Sequence, residues 1–203
     1  MTQDSENRSA MDWDQRFRDD TTPWERGSLH PAFRAWLEAS VIHPDRTLYI
    51  PGCGRSPEVT EAAQAGVSVT ASDLSPTAMD WQKTQLDAAS LSATLVCDDG
   101  LAWRPDVPFD VIYEQTFLCA IHPDRRVEYE RMVHEALKPQ GRLLVLFMQK
   151  AELGGPPYGC SPTAMRQLFP AERWVWPDEE NFTPHPHPNL KGKPELAGIL
   201  RRI

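Results

Sequence analysis

The stretch TLYIPGCG, residues 47–54, decides the fold of this chain. Its first four residues, 47–50, form an apolar run of strand length, and the glycines that follow provide a tight turn. A serine–proline pair then begins a predicted helix over 56–65, which a glycine ends. A second apolar run at 67–71 ends at Asp73. This order of strand, turn, helix and strand predicts two parallel strands joined by a helix.

The same alternation continues toward the C terminus. Three serine–proline pairs, at 56–57, 75–76 and 161–162, each place a capping serine before a proline at the first helical position. In chain order, the further predicted elements are a helix from Ser75, strands at 93–97 and 109–113, a helix at 123–137 that Pro139 and Gly141 end, a uniformly apolar central strand at 143–148, a helix at 161–168, and weaker strands at 174–177 and 196–201.

These elements predict an α/β fold, a doubly wound, Rossmann-like parallel sheet with helices on both faces. Ligands of such sheets bind outside the carboxyl ends of the strands. In this chain those ends carry two glycines and four acidic residues, Gly52, Gly54, Asp73, Asp98, Asp99 and Glu114. Turn chemistry alone does not explain so many of them together, and we expect a ligand site there.

Length and composition bound the domain count and the partners. The 203 residues, 40% of them hydrophobic, suffice for one ordinary domain with a buried core. We expect a flexible N terminus at 1–12 and a single domain at 13–203, in which residues 13–40 form an N-terminal cap. The formal net charge of −8 argues against nucleic acid and against an anionic membrane surface as partners.

Several sequence features favour the cytoplasm. No apolar run approaches the roughly 18 residues of a membrane span, and residues 1–12 lack the apolar core of a signal peptide. The four cysteines lie dozens of residues apart with no CxxC pair, so we expect neither a disulfide framework nor a zinc site. We therefore expect a cytoplasmic protein, and we favour a monomer.

The glycine turn and the acidic residues indicate a nucleoside ligand. A turn such as GCG at 52–54 lets a nucleotide approach the backbone, and Asp73, about 20 residues further on, can accept hydrogen bonds from ribose hydroxyls. These features fit either a dinucleotide or S-adenosylmethionine. Asp98 and Asp99 favour the second, because they follow the third strand, where an adenine amino group would lie. The third glycine of the dinucleotide fingerprint is also missing after Gly54.

Three aromatic residues precede the sheet in a polar segment that cannot bury them by itself, Trp13, Phe17 and Trp24. We interpret them as part of a lid over the pocket, which excludes water when it closes. Aromatic faces also suit the positive charge of a sulfonium group.

Several segments together resemble one family. The pair WDQRF at 13–17 and TPWERG at 22–27 resembles the start of the thiopurine S-methyltransferase superfamily, in particular its small thiol and halide methyltransferases. Further similar segments are IPGCG at 50–54, SDLS at 72–75, WRP at 103–105, FLCA at 117–120, LKP at 137–139, GGPPY at 154–158 and KGK at 191–193. The resemblance covers residues 12–198 and implies a class I S-adenosylmethionine-dependent methyltransferase fold with an N-terminal cap.

The resemblance also implies a role for each matching residue. By this resemblance, Trp13 and Trp24 line the cofactor site from the cap, and Gly52 and Gly54 form the cofactor-binding turn, with Gly52 at the methionine portion. Asp73 binds the ribose, and Asp98 and Asp99 hold the adenine region. Glu114 and Gln115 lie near the methyl group as the candidate catalytic residues, and Glu114 also contacts the cofactor.

The predicted function is transfer of a methyl group from S-adenosylmethionine to a small soft nucleophile, a thiol or a sulfide, with S-adenosylhomocysteine as product and no metal. Gln115 stands where halide-methylating members tend to have tyrosine, and Phe17 replaces a tryptophan, so a halide acceptor is in question. A small thiol is partly ionised near neutral pH, so a strong general base is optional; Glu114 is the candidate base, and positioning of the cofactor is its alternative role. Two other classes stay open, a non-catalytic S-adenosylmethionine-binding regulator and a nicotinamide-dependent oxidoreductase.

Other reactive side chains receive simpler interpretations. We expect Cys53 and Cys119 to be small packing residues, and His185 and His187 to lie in a solvated loop rather than to bind a metal. Three residues are candidates for steering an anionic acceptor, Arg16, Tyr158 and Lys193.

Overall fold

The computed structural model describes residues 11–178 and 181–203. Most of the N terminus expected to be flexible, residues 1–10, lies outside the described residues. The described elements are, in chain order, α1 Trp13–Arg18, α2 Pro31–Glu38, β1 Thr47–Pro51, α3 Glu58–Gln64, β2 Ser68–Asp73, α4 Pro76–Ala88, β3 Thr94–Cys97, β4 Phe109–Glu114, a 3₁₀ turn Pro123–Arg125, α5 Arg126–Ala136, β5 Leu137–Met148, α6 Pro162–Leu168, β6 Trp174–Val175, β7 Thr183–Pro186 and β8 Pro194–Arg202.

The strands form one mixed sheet in the order β3-β2-β1-β4-β5-β8, and both β6 and β7 pair with the outer edge of β8. The first five strands are parallel, which confirms the predicted doubly wound α/β fold. The expectation of a wholly parallel sheet is wrong at the C-terminal end. There β8 runs antiparallel to β5, from Arg142 opposite Arg201 to Met148 opposite Glu195.

The predicted burial of the central strand on both faces is confirmed. Side chains of β5 alternate between two core clusters: Leu143, Val145 and Phe147 belong to one, and Leu144 and Leu146 to the other. All five are at most 2% exposed. Helices therefore cover both faces of β5, and the carboxyl end of the sheet is left for a site.

Two of the three serine–proline helix starts are confirmed. The hydroxyl oxygens of Ser75 and Ser161 accept hydrogen bonds from amides three residues on. The expectation for Ser56 is wrong, because α3 begins at Glu58 after Pro57 and has no side-chain cap. Ser56 still belongs to the glycine turn, so the helix begins two residues later than the sequence predicts.

The prediction that Pro139 and Gly141 end the long helix is also wrong. α5 ends at Ala136 and the chain enters β5 directly, so Pro139 and Gly141 lie inside a strand. The pairing of β5 with β4 is irregular there, between Leu137 and Arg142. A proline without an amide hydrogen and a glycine are tolerated where ladder pairing is interrupted.

The histidine–proline segment expected to be a solvated loop forms β7 on the edge of β8. His185 is half-buried and His187 is fully buried, so the expectation of solvated histidines is wrong. Edge pairing accommodates the prolines, whose missing amide hydrogens would disrupt a central strand.

The N-terminal segment has two parts. α1 contacts the start of α4 through Asp14, whose Oδ1 accepts hydrogen bonds from the Ser75 hydroxyl at 2.5 Å and the Thr77 amide at 3.0 Å. α2 belongs to the core, because Phe33 is fully buried with its ring 4.8 Å from that of Tyr113. Within the described ranges, none of the helices is long and apolar enough to cross a membrane.

Candidate active site

A cavity of about 580 Å³ opens at the carboxyl ends of β1, β2 and β4. Its wall combines the turn after β1, the ends of β2 and β4, the loop after β3 and the N-terminal segment around α1. A volume of this size is within the range of small-molecule and cofactor sites, roughly 300–1,000 Å³. The site therefore lies where the strand order predicts a ligand.

The glycine turn after β1 has a conformation that other residues do not readily adopt. Gly52 has φ +58°, and a Cβ atom added to it would lie 2.6 Å from the ring of Phe117. Gly54 has φ +50°. The backbone approaches its neighbours closely only because these side chains are absent.

Gln82 of α4 supports this turn from behind. Its side chain is fully buried, and Nε2 donates to the carbonyl oxygens of Gly54 and Ser56, both at 2.9 Å. One amide therefore satisfies two carbonyls of a segment that forms no helix or strand. Nothing in the sequence marked this role of Gln82.

Asp73, at the end of β2, is held by two backbone amides. Oδ2 accepts a hydrogen bond from Gly54 at 2.8 Å, and Oδ1 accepts one from Ser75 at 2.9 Å. Burial raises the pKa of Asp73, and these hydrogen bonds oppose the rise. Because each oxygen has a second lone pair and the residue lines the cavity, Asp73 can accept hydrogen bonds from a ligand hydroxyl.

The two acidic residues after β3 differ in position. Asp99 lines the cavity, and its Oδ1 accepts a hydrogen bond from the Leu101 amide at 2.9 Å. Asp98 is exposed and does not belong to the cavity wall; its Oδ1 accepts a hydrogen bond from the Asp99 amide. The structure thus places Asp73 and Asp99 on the cavity wall and Asp98 outside it, although the Asp98 amide donates a hydrogen bond to the Asp73 carbonyl oxygen at 3.1 Å.

Aromatic side chains of the N-terminal segment cover the glycine turn. The rings of Trp13 and Phe17 approach that of Trp24 edge-on, at centroid distances of 5.4 and 5.7 Å. The Arg16 guanidinium lies 5.3 Å from the centre of the Trp24 ring. All four residues line the cavity, while contact of Trp13 and Trp24 with the cofactor stays a prediction.

The two candidate catalytic residues after β4 face different ways. Gln115 lines the cavity and accepts a hydrogen bond from the Tyr113 hydroxyl at 2.9 Å. Glu114 is 1% exposed and lies behind the wall, where Oε1 accepts a hydrogen bond from the Leu118 amide at 2.8 Å. Burial, with a contribution from Glu195, raises the pKa of Glu114 to about 7. Glu114 therefore holds the loop after β4 in place.

The remaining candidates fall into two groups. Cys53 and Cys119 are buried in the two core clusters, as predicted, and burial raises the pKa of both thiols, so they are neutral. Of the three steering candidates only Arg16 lines the cavity; Lys193 pairs with Glu152 at 2.6 Å, and the ring of Tyr158 contacts that of His122. In residues 11–178 and 181–203, His, Cys, Asp and Glu form no group suited to a metal ion.

The wall includes residues that the sequence interpretation missed, among them Arg26, Glu58 and Tyr113. Arg26 Nη1 lies 2.7 Å from Glu195 Oε2 on β8, and both side chains are at least nine-tenths buried. Such a pair joins positions that are far apart in the chain, so local patterns could not reveal it. Glu58 looks in the sequence like an ordinary acidic residue near a helix start.

Comparisons with known proteins match this chain to one family. A family model described as thiopurine S-methyltransferase matches residues 8–181. Thiocyanate methyltransferase 1 of Arabidopsis thaliana is 30% identical over 189 residues, which cover 91% of this chain and 82% of the relative. A probable thiol methyltransferase 2 of the same plant is 31% identical over 168 residues, covering 81% and 74%.

A solved structure shares the fold. It is that of 1,6-didemethyltoxoflavin-N1-methyltransferase of Burkholderia thailandensis with bound 1,6-didemethyltoxoflavin and S-adenosylhomocysteine. It superposes with a TM-score of 0.73 at 20% identity and covers 93% of this chain and 84% of its own. At this identity the likeness concerns the fold alone.

The support of the turn by Gln82 predicts a loss of stability on substitution. Gln82→Leu leaves the two carbonyls without their buried donor, and we expect the free energy of unfolding to fall by about 1–3 kcal/mol for each. Urea unfolding at 25 °C measures this. Gln85→Leu, on the next turn of α4, is the control and should change stability by less than about 0.5 kcal/mol. Equal effects of the two variants would contradict the role of Gln82.

The burial of Glu114 predicts a pH-dependent difference in stability. Its pKa in the folded chain, about 7, lies above the ordinary 4.5, so ionisation between these values destabilises the fold. Glu114→Gln cannot ionise, and its stability relative to the parent chain should rise by about 2–3 kcal/mol from about pH 5 to about pH 8. Unfolding curves at intermediate pH values test this. A difference that does not change with pH would show that Glu114 is not buried as a titrating carboxyl.

Proposed function

The chain belongs to the thiopurine S-methyltransferase family and is an S-adenosylmethionine-dependent methyltransferase, and we propose that its acceptor is a small sulfur nucleophile, a thiol or hydrosulfide. The family, the fold, the enzyme class and the cofactor predicted from the sequence are thereby confirmed. The family also separates the chain from nicotinamide-dependent oxidoreductases.

The residues of the cavity suit S-adenosylmethionine. We propose that Asp73 binds the ribose hydroxyls and that the backbone around Gly52, which lines the cavity, receives the methionine portion. Asp99 would face the adenine, while the assignment of Asp98 to that region stays a prediction. Trp13 and Trp24 would contact the sulfonium, which aromatic faces favour. When bound, the cofactor supplies a methyl group activated by the positive sulfur.

One observation carries the proposal: Asp73, the glycine turn and the aromatic cap residues line a single cavity, whose wall also includes Gln115 and Arg26. The first group suits a nucleoside, and we assign the wall at Gln115 and Arg26 to a small acceptor. Transfer between two bound groups requires both to share one enclosed space, in which their reacting atoms can be held in line.

The residues of the chain promote transfer by position and by exclusion of water. The cap is held over the cavity by Arg55, whose Nε and Nη1 contact Glu25 and Asp20, each at 2.7 Å. A soft sulfur anion loses its hydration shell under such a cover and reacts more readily. Gln115, oriented by the Tyr113 hydroxyl, is placed to direct the acceptor.

The acceptor class follows from relatives and from Gln115. Relatives are named for thiocyanate and for thiols, which are soft sulfur nucleophiles. Gln115 stands where tyrosine is expected in halide-methylating members, which favours sulfur over halide for this chain. All four cysteines, each within the described part of the chain, are free thiols, and we infer from them a reducing compartment, the cytoplasm. The monomeric state stays a prediction, testable by light scattering.

The acceptor is tested by a screen with labelled S-adenosylmethionine. We expect methylation of hydrosulfide and 2-mercaptoethanol. The kcat/KM for iodide should be at least about tenfold lower, a difference that corresponds to about 1.4 kcal/mol. Faster methylation of iodide than of either sulfur compound would contradict the proposed acceptor class.

Gln115→Tyr tests whether this position selects the acceptor. A phenol presents a hydroxyl donor and a positive ring edge to a halide. The ratio of kcat/KM for iodide to kcat/KM for 2-mercaptoethanol should therefore rise at least about tenfold, which corresponds to about 1.4 kcal/mol. Calorimetry with S-adenosylhomocysteine controls for an intact cofactor site. An unchanged ratio would show that Gln115 does not determine the acceptor.

A further inference from the structure

Glu58 is a buried carboxylate to which the roles above assign nothing. It is the first residue of α3, its side chain is 1% exposed, and it lines the cavity. Oε1 accepts a hydrogen bond from the His30 amide at 2.8 Å, whereas Oε2 makes no well-formed hydrogen bond with any described residue. A buried carboxylate oxygen without a donor is costly, so its place on a cavity wall indicates a ligand that brings a proton.

The strand order places Glu58 on the acceptor side of the cavity. Asp73 and Asp99 follow β2 and β3, on one side of β1, whereas β4 lies on the other side. Tyr113 of β4 lines the cavity, and burial followed by the charge of Glu58 raises its pKa, so the two side chains are close. The Tyr113 hydroxyl in turn donates to Gln115. Glu58 therefore lies next to the residues that face the acceptor.

Charged and titratable groups surround Glu58 on several elements. Arg26 precedes α2 and favours the ionised carboxylate, but its guanidinium is already paired with Glu195 of β8 at 2.7 Å. His30, the cap of α2, lies 3.5 Å from the same Glu195 oxygen, and Tyr113 approaches from β4. Burial raises the pKa of Glu58, while the amides of His30 and Glu58, the Ser56 hydroxyl and the charge of Arg26 oppose the rise. A carboxylate with a raised pKa is a stronger base than an exposed one.

We propose that Glu58 is the proton acceptor for thiol substrates and that it selects acceptors that carry an S–H group. The proposal rests on the proposed function, since it assigns a residue to the acceptor half of the same cavity. It replaces Glu114, the candidate base from the sequence, because Glu114 lies behind the wall while Glu58 lines it.

The proton and the electrons balance in this step. The S–H bond breaks, its proton passes to Glu58 Oε2, and its electron pair stays on the acceptor sulfur. That sulfur forms the new bond to the methyl carbon, whose bond to the sulfonium breaks and leaves its electron pair on the departing sulfur. Glu58 becomes a neutral carboxylic acid, and its proton returns to solvent after the products leave.

This role has a consequence for specificity. A neutral thiol gains a hydrogen-bond acceptor at Glu58 and is methylated at a pH below its own pKa, where little free thiolate is present. An anionic sulfur nucleophile without an S–H group gains nothing from Glu58 and is repelled by its charge. The chain should therefore favour protonated thiols over anions of similar nucleophilicity.

The test compares two thiols in the parent chain and in Glu58→Gln. 2-Mercaptoethanol is mostly protonated at neutral pH, and 4-nitrothiophenol is ionised. For Glu58→Gln we expect kcat/KM with 2-mercaptoethanol to fall roughly 10²–10³-fold at neutral pH and to recover about tenfold per pH unit as the thiolate forms. We expect kcat/KM with 4-nitrothiophenol to stay the same or to rise.

Controls separate this role from a structural one. Glu61→Gln, on the same helix, should leave both rates unchanged, and Glu58→Asp should keep the pH profile of the parent chain at a lower rate. Calorimetry with S-adenosylhomocysteine should give the same Kd for the parent chain and Glu58→Gln. Equal loss with both thiols, no loss with 2-mercaptoethanol, or an unchanged pH profile would overturn the proposal. Failure of the parent chain to methylate either thiol would instead overturn the proposed function, and this assignment with it.

Discussion

Asp73 accepts hydrogen bonds from the amides of Gly54 and Ser75, and so joins the turn after β1 to the start of α4 at the edge of the sheet. The turn can reach Asp73 because its glycines adopt positive φ angles, and Gln82 satisfies its free carbonyls from the other side. The same carboxylate that fixes the backbone also faces the cavity. One residue therefore supports the turn and is also available to a ligand in the cavity.

The cover of the cavity is fixed by the other end of the chain. The Trp24 carbonyl lies 2.9 Å from His187 Nε2, and Arg26 pairs with Glu195. The ring of His30 also packs edge-on against that of His185. The antiparallel strands β7 and β8 and the loop between them thus hold the segment from Trp24 to His30 in place. This arrangement explains why a histidine in a proline-rich segment is fully buried.

The repeating parts of the fold were predictable from the sequence, and the singular contacts were not. Apolar runs at 47–50 and 143–148 indicate strands because burial on both faces leaves little choice of residue. The placement of Asp73 followed from its position after a strand. The different positions of Asp98 and Asp99 did not, because neighbouring residues at a strand end are separated only by local backbone geometry. The burial of His187 depends on a partner 163 positions away, which no local pattern encodes.

The central claim is that the cavity binds S-adenosylmethionine through Asp73, and calorimetric titration with its product, S-adenosylhomocysteine, tests it most directly. We predict that the parent chain binds S-adenosylhomocysteine and not NADH. In Asp73→Ala the affinity should fall roughly 10–100-fold, the effect of losing hydrogen bonds to a charged group, and circular dichroism should verify that this variant is folded. Binding of NADH, no binding of S-adenosylhomocysteine, or equal affinity in a folded Asp73→Ala would contradict the account.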